Sequence, residues 1–210
     1  MDITPLRFVR HLVRDRAAAT AAEFALVIPL LLLFIFGIID VGRLMWDWNQ
    51  AQKATQIGVR FAVVTDFVPT GLAEHDFTDD GVTQGAAVDD ALFPGVSCTG
   101  TDAAATCTCV EADGCDFDDD SDHVPFNNIV DRMSEIYGAI TPENVVVDYE
   151  PSGLGFAGNP YGADVAPTVT VRLQGLEFQP LMTQLFGVTF DMAGFASSMT
   201  MEDGAGSASN

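Results

Sequence analysis

The chain has 210 residues, of which 48% are hydrophobic, and a formal net charge of −21 at pH 7. Seven of the nine Lys and Arg residues lie at or before Arg60, so the chain after Arg60 sets 25 acidic residues against two arginines. Such a surface disfavours nucleic acid, whose binding needs Lys and Arg to displace counterions from phosphates, and it disfavours docking on anionic lipid. It is compatible with solubility, cation binding or a salty habitat.

One membrane-length apolar segment lies near the N-terminus. Residues 24–39 carry no charge, and Glu23 is the only charged residue in 17–39. As a helix, residues 24–39 span about 24 Å, short of the ~30 Å hydrocarbon core, so residues 17–22 must help to complete the crossing. This places Glu23 at or inside the membrane boundary.

A carboxylate in this position opposes insertion. The penalty is roughly 2.5 to 3.5 kcal/mol at the bilayer centre, whereas each Leu, Ile, Phe or Val favours insertion by about 0.3 to 0.6 kcal/mol. Thirteen such residues lie in 24–39, so insertion is expected. Two interpretations of Glu23 stay open: an interfacial carboxylate that snorkels or is protonated, or a carboxylate with a partner inside the bilayer.

Positive charge before the apolar run predicts the orientation. Four arginines precede the run: Arg7, Arg10, Arg14 and Arg16. The N-terminus is therefore expected in the cytoplasm and the rest of the chain outside it. The run exceeds the ~7 to 15 residues of a secretory signal core, and no A-x-A-like site follows it before Trp46, so a retained single-pass anchor is predicted.

The helix is predicted to continue beyond the membrane. Small and apolar residues recur at three-to-four spacing from Leu44 to Ala62, with polar residues between them. Residues 19–62 are thus predicted to form a transmembrane helix that continues as an amphipathic helix. Pro29 is expected to mark a kink or a locally melted turn, which transmembrane helices tolerate.

Residues 63–210 are predicted to form an acidic extracytoplasmic head. Residues 66–125 have weak periodicity and indicate a long surface excursion, with a short helix at 83–93 and a disulfide-stapled loop at 94–125. A helix is expected from Phe126 to a stop at Gly138. Strands are expected at 145–149, 168–173 and 190–201, with a short helix at 180–186. With the long helix covering one face of an antiparallel sheet, the fold class is α+β.

Four cysteines fall within one 18-residue stretch: Cys98, Cys107, Cys109 and Cys115. An even number in an oxidising compartment predicts two local disulfides, and three pairings are open. Cys107 and Cys109 are expected to pair outward, because a bond between them would close a strained ring. Zinc is disfavoured, since paired C-x2-C spacing is absent.

An acidic run follows the cysteines and raises the question of calcium. Alternate carboxylates resemble the oxygen ligands of a calcium loop: Asp116, Asp118, Asp120 and Asp122. Ser121 stands where an EF-hand has Gly, and Asn127 stands where it has a bidentate Glu. The run therefore predicts either an irregular calcium site or a solvated loop of repelling charges.

The sequence offers little support for a catalytic site, so a non-enzymatic protein is predicted. The sequence contains no G-x-S-x-G and no H-E-x-x-H, and His75 and His123 are expected in polar loops. Glycines at 153, 155 and 158 match a dinucleotide-binding pattern, but Asn-Pro-Tyr-Gly follows where a helix would have to run. A Gly-rich loop joining two strands explains them better.

Residues 14–62 resemble the TadE-like pseudopilins of the tight-adherence (Tad) pilus machinery, a branch of the type IV pilin superfamily. An Arg-rich leader is followed by Ala-Ala-Glu23-Phe24-Ala-Leu-Val-Ile-Pro29, a Leu/Phe run and the segment Gly58-Val-Arg60-Phe-Ala. The resemblance implies a pilin-like fold, in which a long N-terminal helix packs on a small C-terminal antiparallel sheet.

The resemblance also implies processing. In this family a membrane prepilin peptidase removes the basic leader, here 1–18, and the carboxylate is the fifth residue after the cut, which places the cut between Ala18 and Ala19. Ala18 stands where the family usually has Gly. Cleavage would create an α-ammonium at Ala19, the partner with which Glu23 would pair within or between subunits.

These features predict a minor pilin or pilus-assembly component of a Tad pilus in the bacterial inner membrane. Its expected partners are membrane lipid, the prepilin peptidase and other pilin or pseudopilin subunits, with no nucleic acid. The implied assembly positions on the helix are Glu23, Pro29, Gly58 and Arg60. The alternative is an uncleaved single-pass membrane protein with a calcium- or surface-binding, adhesin-like head. No cofactor is predicted apart from this calcium.

Overall fold

A computed structural model describes residues 16–101, 103–110, 123–184, 187–201 and 204. Its helices are α1 (Arg16–Ala62), α2 (Thr70–Glu74) and α3 (His123–Ser134), with a 3-10 helix at Pro142–Asn144. Its strands are β1 (Val96–Thr101), β2 (Ala104–Cys109), β3 (Val145–Glu150), β4 (Thr168–Leu173), β5 (Glu177–Phe178), β6 (Phe190–Asp191) and β7 (Phe195–Thr200). These elements confirm the α+β class.

The chain divides into two compact units. The first contains α1 up to Met45 together with Gln179–Thr189, and the second contains Trp46–Phe178 and the described residues from Phe190 onwards. In the first unit, α1 runs unbroken through Pro29, so the melted turn considered there does not occur. Among the described helices, α1 alone is long and apolar enough to cross a membrane, with a mean hydropathy of 2.8 in its most apolar window.

The second unit is built on a five-stranded sheet in the order β2-β1-β3-β4-β7, and every neighbouring pair is antiparallel. The strands predicted at 145–149 and 168–173 are confirmed as β3 and β4. The strand predicted at 190–201 is interrupted, because β6 pairs with β5 and only β7 joins the large sheet. One face of the sheet forms the core, with buried Val147, Tyr149, Val169, Val171 and Leu173.

The second half of α1 is amphipathic, as predicted. Ala51, Ala54 and Val59 are buried, whereas Lys53 and Arg60 are exposed. This half contacts the sheet through the rings of Trp48 and Phe195 of β7, whose centroids are 4.8 Å apart. It contacts the turn that follows α3 through Gln50, whose Nε2 donates to the carbonyl oxygen of Ile136 at 2.9 Å. The helix thus covers part of the sheet, as the fold prediction required.

The interpretation of 94–125 as a surface loop is wrong for its described part. Cys98 of β1 and Cys107 of β2 lie directly opposite each other, and both are buried. A Cβ atom at Gly100 would overlap the ring of buried Phe126 in α3, so α3 packs closely on β1. Small residues fill the inner face of this hairpin, which explains the weak hydrophobic periodicity.

The helix predicted at 83–93 is also wrong. Its backbone pairs elsewhere: Gly85 N–H donates to the Ala157 carbonyl at 2.8 Å, and Ala157 N–H donates back to the Ala86 carbonyl at 2.9 Å. The glycines at 153–158 lie between β3 and β4, as predicted. The short helix predicted at 180–186 is wrong for 181–183, which form turns, and His123 begins α3 rather than lying in a loop.

Candidate functional site: the apolar helix surface and the Asp40 clasp

The membrane half of α1 presents an apolar surface that the described chain leaves exposed. Phe24, Leu26 and Ile38 are 66%, 80% and 73% exposed, and most other side chains of this segment are exposed as well. A soluble domain rarely leaves so many contiguous large apolar side chains open, so the surface indicates contact with lipid or with other helices.

The predicted processing and assembly residues occupy different environments on α1. Ala18 and Ala19 lie in its first turns, and Glu23, Phe24 and Pro29 are exposed beside or within the apolar surface. In the second unit, Arg60 is exposed but Gly58 is buried. A Cβ atom at Gly58 would lie 2.6 Å from Sδ of Met133, so Gly58 serves close packing within the chain.

A buried carboxylate lies directly after the apolar run. Asp40 is 8% exposed, and both of its oxygens accept backbone hydrogen bonds, from Leu181 N–H at 2.8 Å and from Met182 N–H at 3.2 Å. Consecutive N–H groups at the start of a turn need acceptors, and a charged acceptor forms the stronger bond. Asp40 therefore ties the loop Gln179–Thr189 to α1, an arrangement that we name the Asp40 clasp.

Arg43 completes the Asp40 clasp. Its guanidinium lies 3.4 Å from Oδ1 of Asp40 and also donates to the Gln179 carbonyl at 3.4 Å. A buried carboxylate is tolerated only when it is paired and hydrogen-bonded, and Asp40 meets both conditions. Within the described part of the loop, Thr183 Oγ1 donates to the Val188 carbonyl at 3.0 Å.

Sequence reasoning missed the Asp40 clasp. The available signal was an acidic residue at the end of that run with an arginine three positions later. The partner atoms, however, belong to the backbone 141 residues away, and backbone donors have no residue-type signature.

The cysteine prediction is confirmed for one pair, since a disulfide joins Cys98 and Cys107. Cys109 is also disulfide-bonded, whereas Cys115 lies outside the described residues. The calcium candidates lie outside them as well: Asp116, Asp118, Asp120 and Asp122. Within the described ranges, no group of three or more His, Cys, Asp or Glu side chains is arranged to hold a metal ion.

His75 lines a polar cavity of about 470 Å³ in the second unit, together with Asp76 and Thr78. Its Nε2 lies 2.7 Å from Oδ2 of Asp80. The Thr78 hydroxyl donates to Asp76 at 2.6 Å, and the Thr78 N–H also donates to Asp76. Together these two hydrogen bonds hold the pKa of Asp76 below its usual value. The Thr78 hydroxyl thus donates its proton to a carboxylate, whereas the nucleophile of a catalytic triad donates to an imidazole.

The apolar helix indicates a membrane-anchored protein, and the second unit gives it an α+β head. The model of the family described as TadE-like protein matches residues 18–60. This match confirms the resemblance for most of α1, including Glu23, Asp40 and Gly58. No curated protein and no solved structure matches the chain significantly.

Proposed function

We propose that the chain is a minor pilin or pilus-assembly component of a Tad pilus, held in the bacterial inner membrane with its N-terminus in the cytoplasm. The observation that carries this proposal is the coincidence of the family match with the exposed apolar surface: both lie on α1. The buried disulfide between Cys98 and Cys107 supports an oxidising, extracytoplasmic location for the head.

Assembly would use the apolar surface twice. Before assembly the surface is solvated by lipid tails, and during assembly it packs against the helices of neighbouring subunits. Lipid tails are about as apolar as Leu side chains, so replacing lipid contacts by contacts with a neighbouring helix has no large hydrophobic cost. Close packing and polar contacts therefore decide whether the helices associate. A polar group on this surface therefore has unusual weight in choosing partners.

Glu23 is the polar group that fits this role. Removal of residues 1–18 by the prepilin peptidase would take away the leader arginines and leave an α-ammonium at Ala19. Ala19 and Glu23 are four residues apart in α1, which places them one turn apart on the same side of the helix. The ammonium can then neutralise Glu23 of its own subunit or of a neighbour, in surroundings where an unpaired charge is costly.

The test is Glu23→Gln in pilus-producing cells. The amide keeps the shape of the side chain but cannot pair with an ammonium, so incorporation into sheared pili should fall by about tenfold or more, because breaking a buried pair costs several kcal/mol. The amount of the chain in the membrane fraction should stay unchanged, since insertion depends on residues 24–39.

Lys53→Gln is the matched control, because it neutralises an exposed charge on the second half of the same helix. It should assemble like the wild type. Normal incorporation of Glu23→Gln would contradict the pairing of Glu23, and a loss of the variant from the membrane fraction would assign Glu23 to insertion instead.

A further inference from the structure

We propose that the loop Gln179–Thr189, through its described residues 179–184 and 187–189, is a second membrane-contacting element, which lies in the outer headgroup interface beside α1. The inference rests on the membrane anchoring contained in the proposed function. It does not depend on cleavage of the leader or on assembly into a pilus.

The Asp40 clasp fixes the level of this loop. Asp40 is the first residue after the apolar run 24–39, so it marks the point where the hydrocarbon region ends on the extracytoplasmic side. Two backbone hydrogen bonds and Arg43 hold residues 179–182 against this point. The loop and the membrane half of α1 also form one compact unit.

The chemistry of the loop suits an interface. No charged residue lies between Glu177 and Asp191, in a region where acidic residues otherwise abound. Leu181 and Val188 are 40% and 42% exposed, so apolar side chains point away from the loop. An acidic surface is repelled by anionic lipid, whereas this neutral apolar segment can approach any headgroup.

The loop also satisfies much of its own backbone, which an element near hydrocarbon must do. The carbonyl of Pro180 accepts from Thr183 N–H at 3.2 Å, and the carbonyl of Thr183 accepts from Val188 N–H at 3.4 Å. Leu181 N–H and Met182 N–H are bonded to Asp40. Partial burial among headgroups therefore leaves few of these polar groups without a partner.

Lipid is a better occupant than a second protein. A specific protein interface uses roughly 20 to 30 residues a side, whereas this loop has eleven residues. An interfacial segment beside a transmembrane helix needs no such area, because the helix already supplies the anchoring. The loop belongs to the same compact unit as the lipid-facing half of α1, which favours contact with lipid for both segments.

The experiment places a photo-crosslinker at Val188. The full chain carrying Val188→benzoylphenylalanine is reconstituted in phosphatidylcholine vesicles and irradiated, and the adducts are identified by mass spectrometry. Two further positions serve as references: Ile38, which is 73% exposed in the apolar run, and Tyr161, which is 96% exposed in the second unit. An intact Cys98–Cys107 disulfide verifies that each variant is folded.

Lipid adducts at Val188 and Ile38, with none at Tyr161, would support the proposal. Lipid adducts at Ile38 alone, or a Val188 adduct to a second copy of the chain without lipid, would overturn it and leave the proposed function standing. Absence of lipid adducts at Ile38 would overturn the membrane anchoring itself.

Adding Asp40→Ala should lower the yield of the Val188 lipid adduct several-fold and leave the yield at Ile38 unchanged. An unchanged yield at Val188 would refute the role of the Asp40 clasp.

Discussion

Several carboxylates of this acidic chain are used inside the fold. Asp164 is 4% exposed and accepts from the N–H groups of Phe77, Gly158 and Asn159, all within 2.9 Å. Asp40 does the same for the loop Gln179–Thr189. A short carboxylate can satisfy several backbone donors at once, which lets irregular segments pack without unsatisfied groups. These two carboxylates therefore stabilise the fold and contribute little to the exposed surface.

Tyr149 is the largest fully buried side chain of the second unit. Its hydroxyl accepts a hydrogen bond from Val68 N–H at 3.2 Å, and its ring stacks on Phe67 with the centroids 5.7 Å apart. Burial raises the pKa of Tyr149 despite this hydrogen bond, since a phenolate would be poorly solvated there. The side chain joins the segment after α1 to the middle of the sheet.

This pKa shift predicts a loss of stability at alkaline pH. The unfolded chain releases the tyrosine proton near pH 10, whereas the folded chain retains it. The stabilisation is thus complete below about pH 10 and is lost as the pH rises above it. Tyr149→Phe should lower the free energy of unfolding by about 1 to 2 kcal/mol at pH 7, by leaving Val68 N–H unsatisfied, and should flatten the alkaline decline.

Thermal unfolding of the detergent-solubilised chain, followed across the alkaline range, measures both effects. Tyr161→Phe is the control, because Tyr161 is 96% exposed. Some decline should persist in Tyr149→Phe, since burial also raises the pKa of Tyr137. An alkaline slope identical to that of the wild type would show that Tyr149 is not its source.

For single residues, a functional role could be predicted from the sequence where that role depends on neighbouring residues in the chain. Glu23 stands out because it is the only charged residue in 17–39 and directly precedes a long apolar run. Asp40 and Asp164 could not be recognised, because their partners are backbone N–H groups, several of which lie far away in the chain. A carboxylate that binds backbone looks the same in a sequence as a carboxylate in water.

Among the elements, the contact between α1 and α3 depends on the absence of a side chain. Gly58 is buried against Met133, itself fully buried, and the neighbouring Ala54 and Ala62 are small as well. Small residues on one helix let a second helix approach closely. Gly58 is thus needed for close packing within the chain, in addition to being part of the segment that resembles pseudopilins.

Gly58→Ala should therefore destabilise the second unit. Alanine gains up to about 1 kcal/mol of helix propensity, but its Cβ would lie 2.6 Å from Sδ of Met133 and 2.7 Å from Cγ, and overpacking costs about 1 to 3 kcal/mol. We expect a net loss of about 1 kcal/mol, seen as a fall of several degrees in the melting temperature.

Gly42→Ala on the same helix is the control, since no atom lies within 4 Å of its added Cβ. It should keep or raise the melting temperature. Equal melting temperatures for the two variants would mean that Met133 moves aside without cost and that Gly58 is not a packing requirement.

The sequence predicted elements well where their core faces are large and branched. β3 contains three consecutive valines, β4 alternates Val with Thr, and α1 is marked by its apolar run. The β1–β2 hairpin was missed because its core face uses Cys98, Gly100 and Cys107, whose small side chains give little hydrophobic signal. The prediction of a helix at 83–93 was wrong because the backbone of this segment forms hydrogen bonds with the glycine-rich loop. Local helix propensity carries no information about such long-range hydrogen bonds.

On the scale of the whole molecule, the compact units do not follow chain order. Gln179–Thr189 returns to group with α1 up to Met45, whereas the residues on both sides of it belong to the second unit. Composition marks where apolar and acidic segments begin, but such a return is set by a few hydrogen bonds. The location of this loop at the membrane is therefore a question that arises only from the structure.

We propose that α1 becomes a pilus-assembly helix after the leader is removed. N-terminal sequencing and intact mass of the chain, taken from both the membranes and the sheared pili of pilus-producing cells, provide the test. We expect a mature chain that begins at Ala19 and is present in the pilus fraction. A chain that keeps residues 1–18 in every fraction would contradict it, and would favour an uncleaved membrane anchor carrying a surface-binding head.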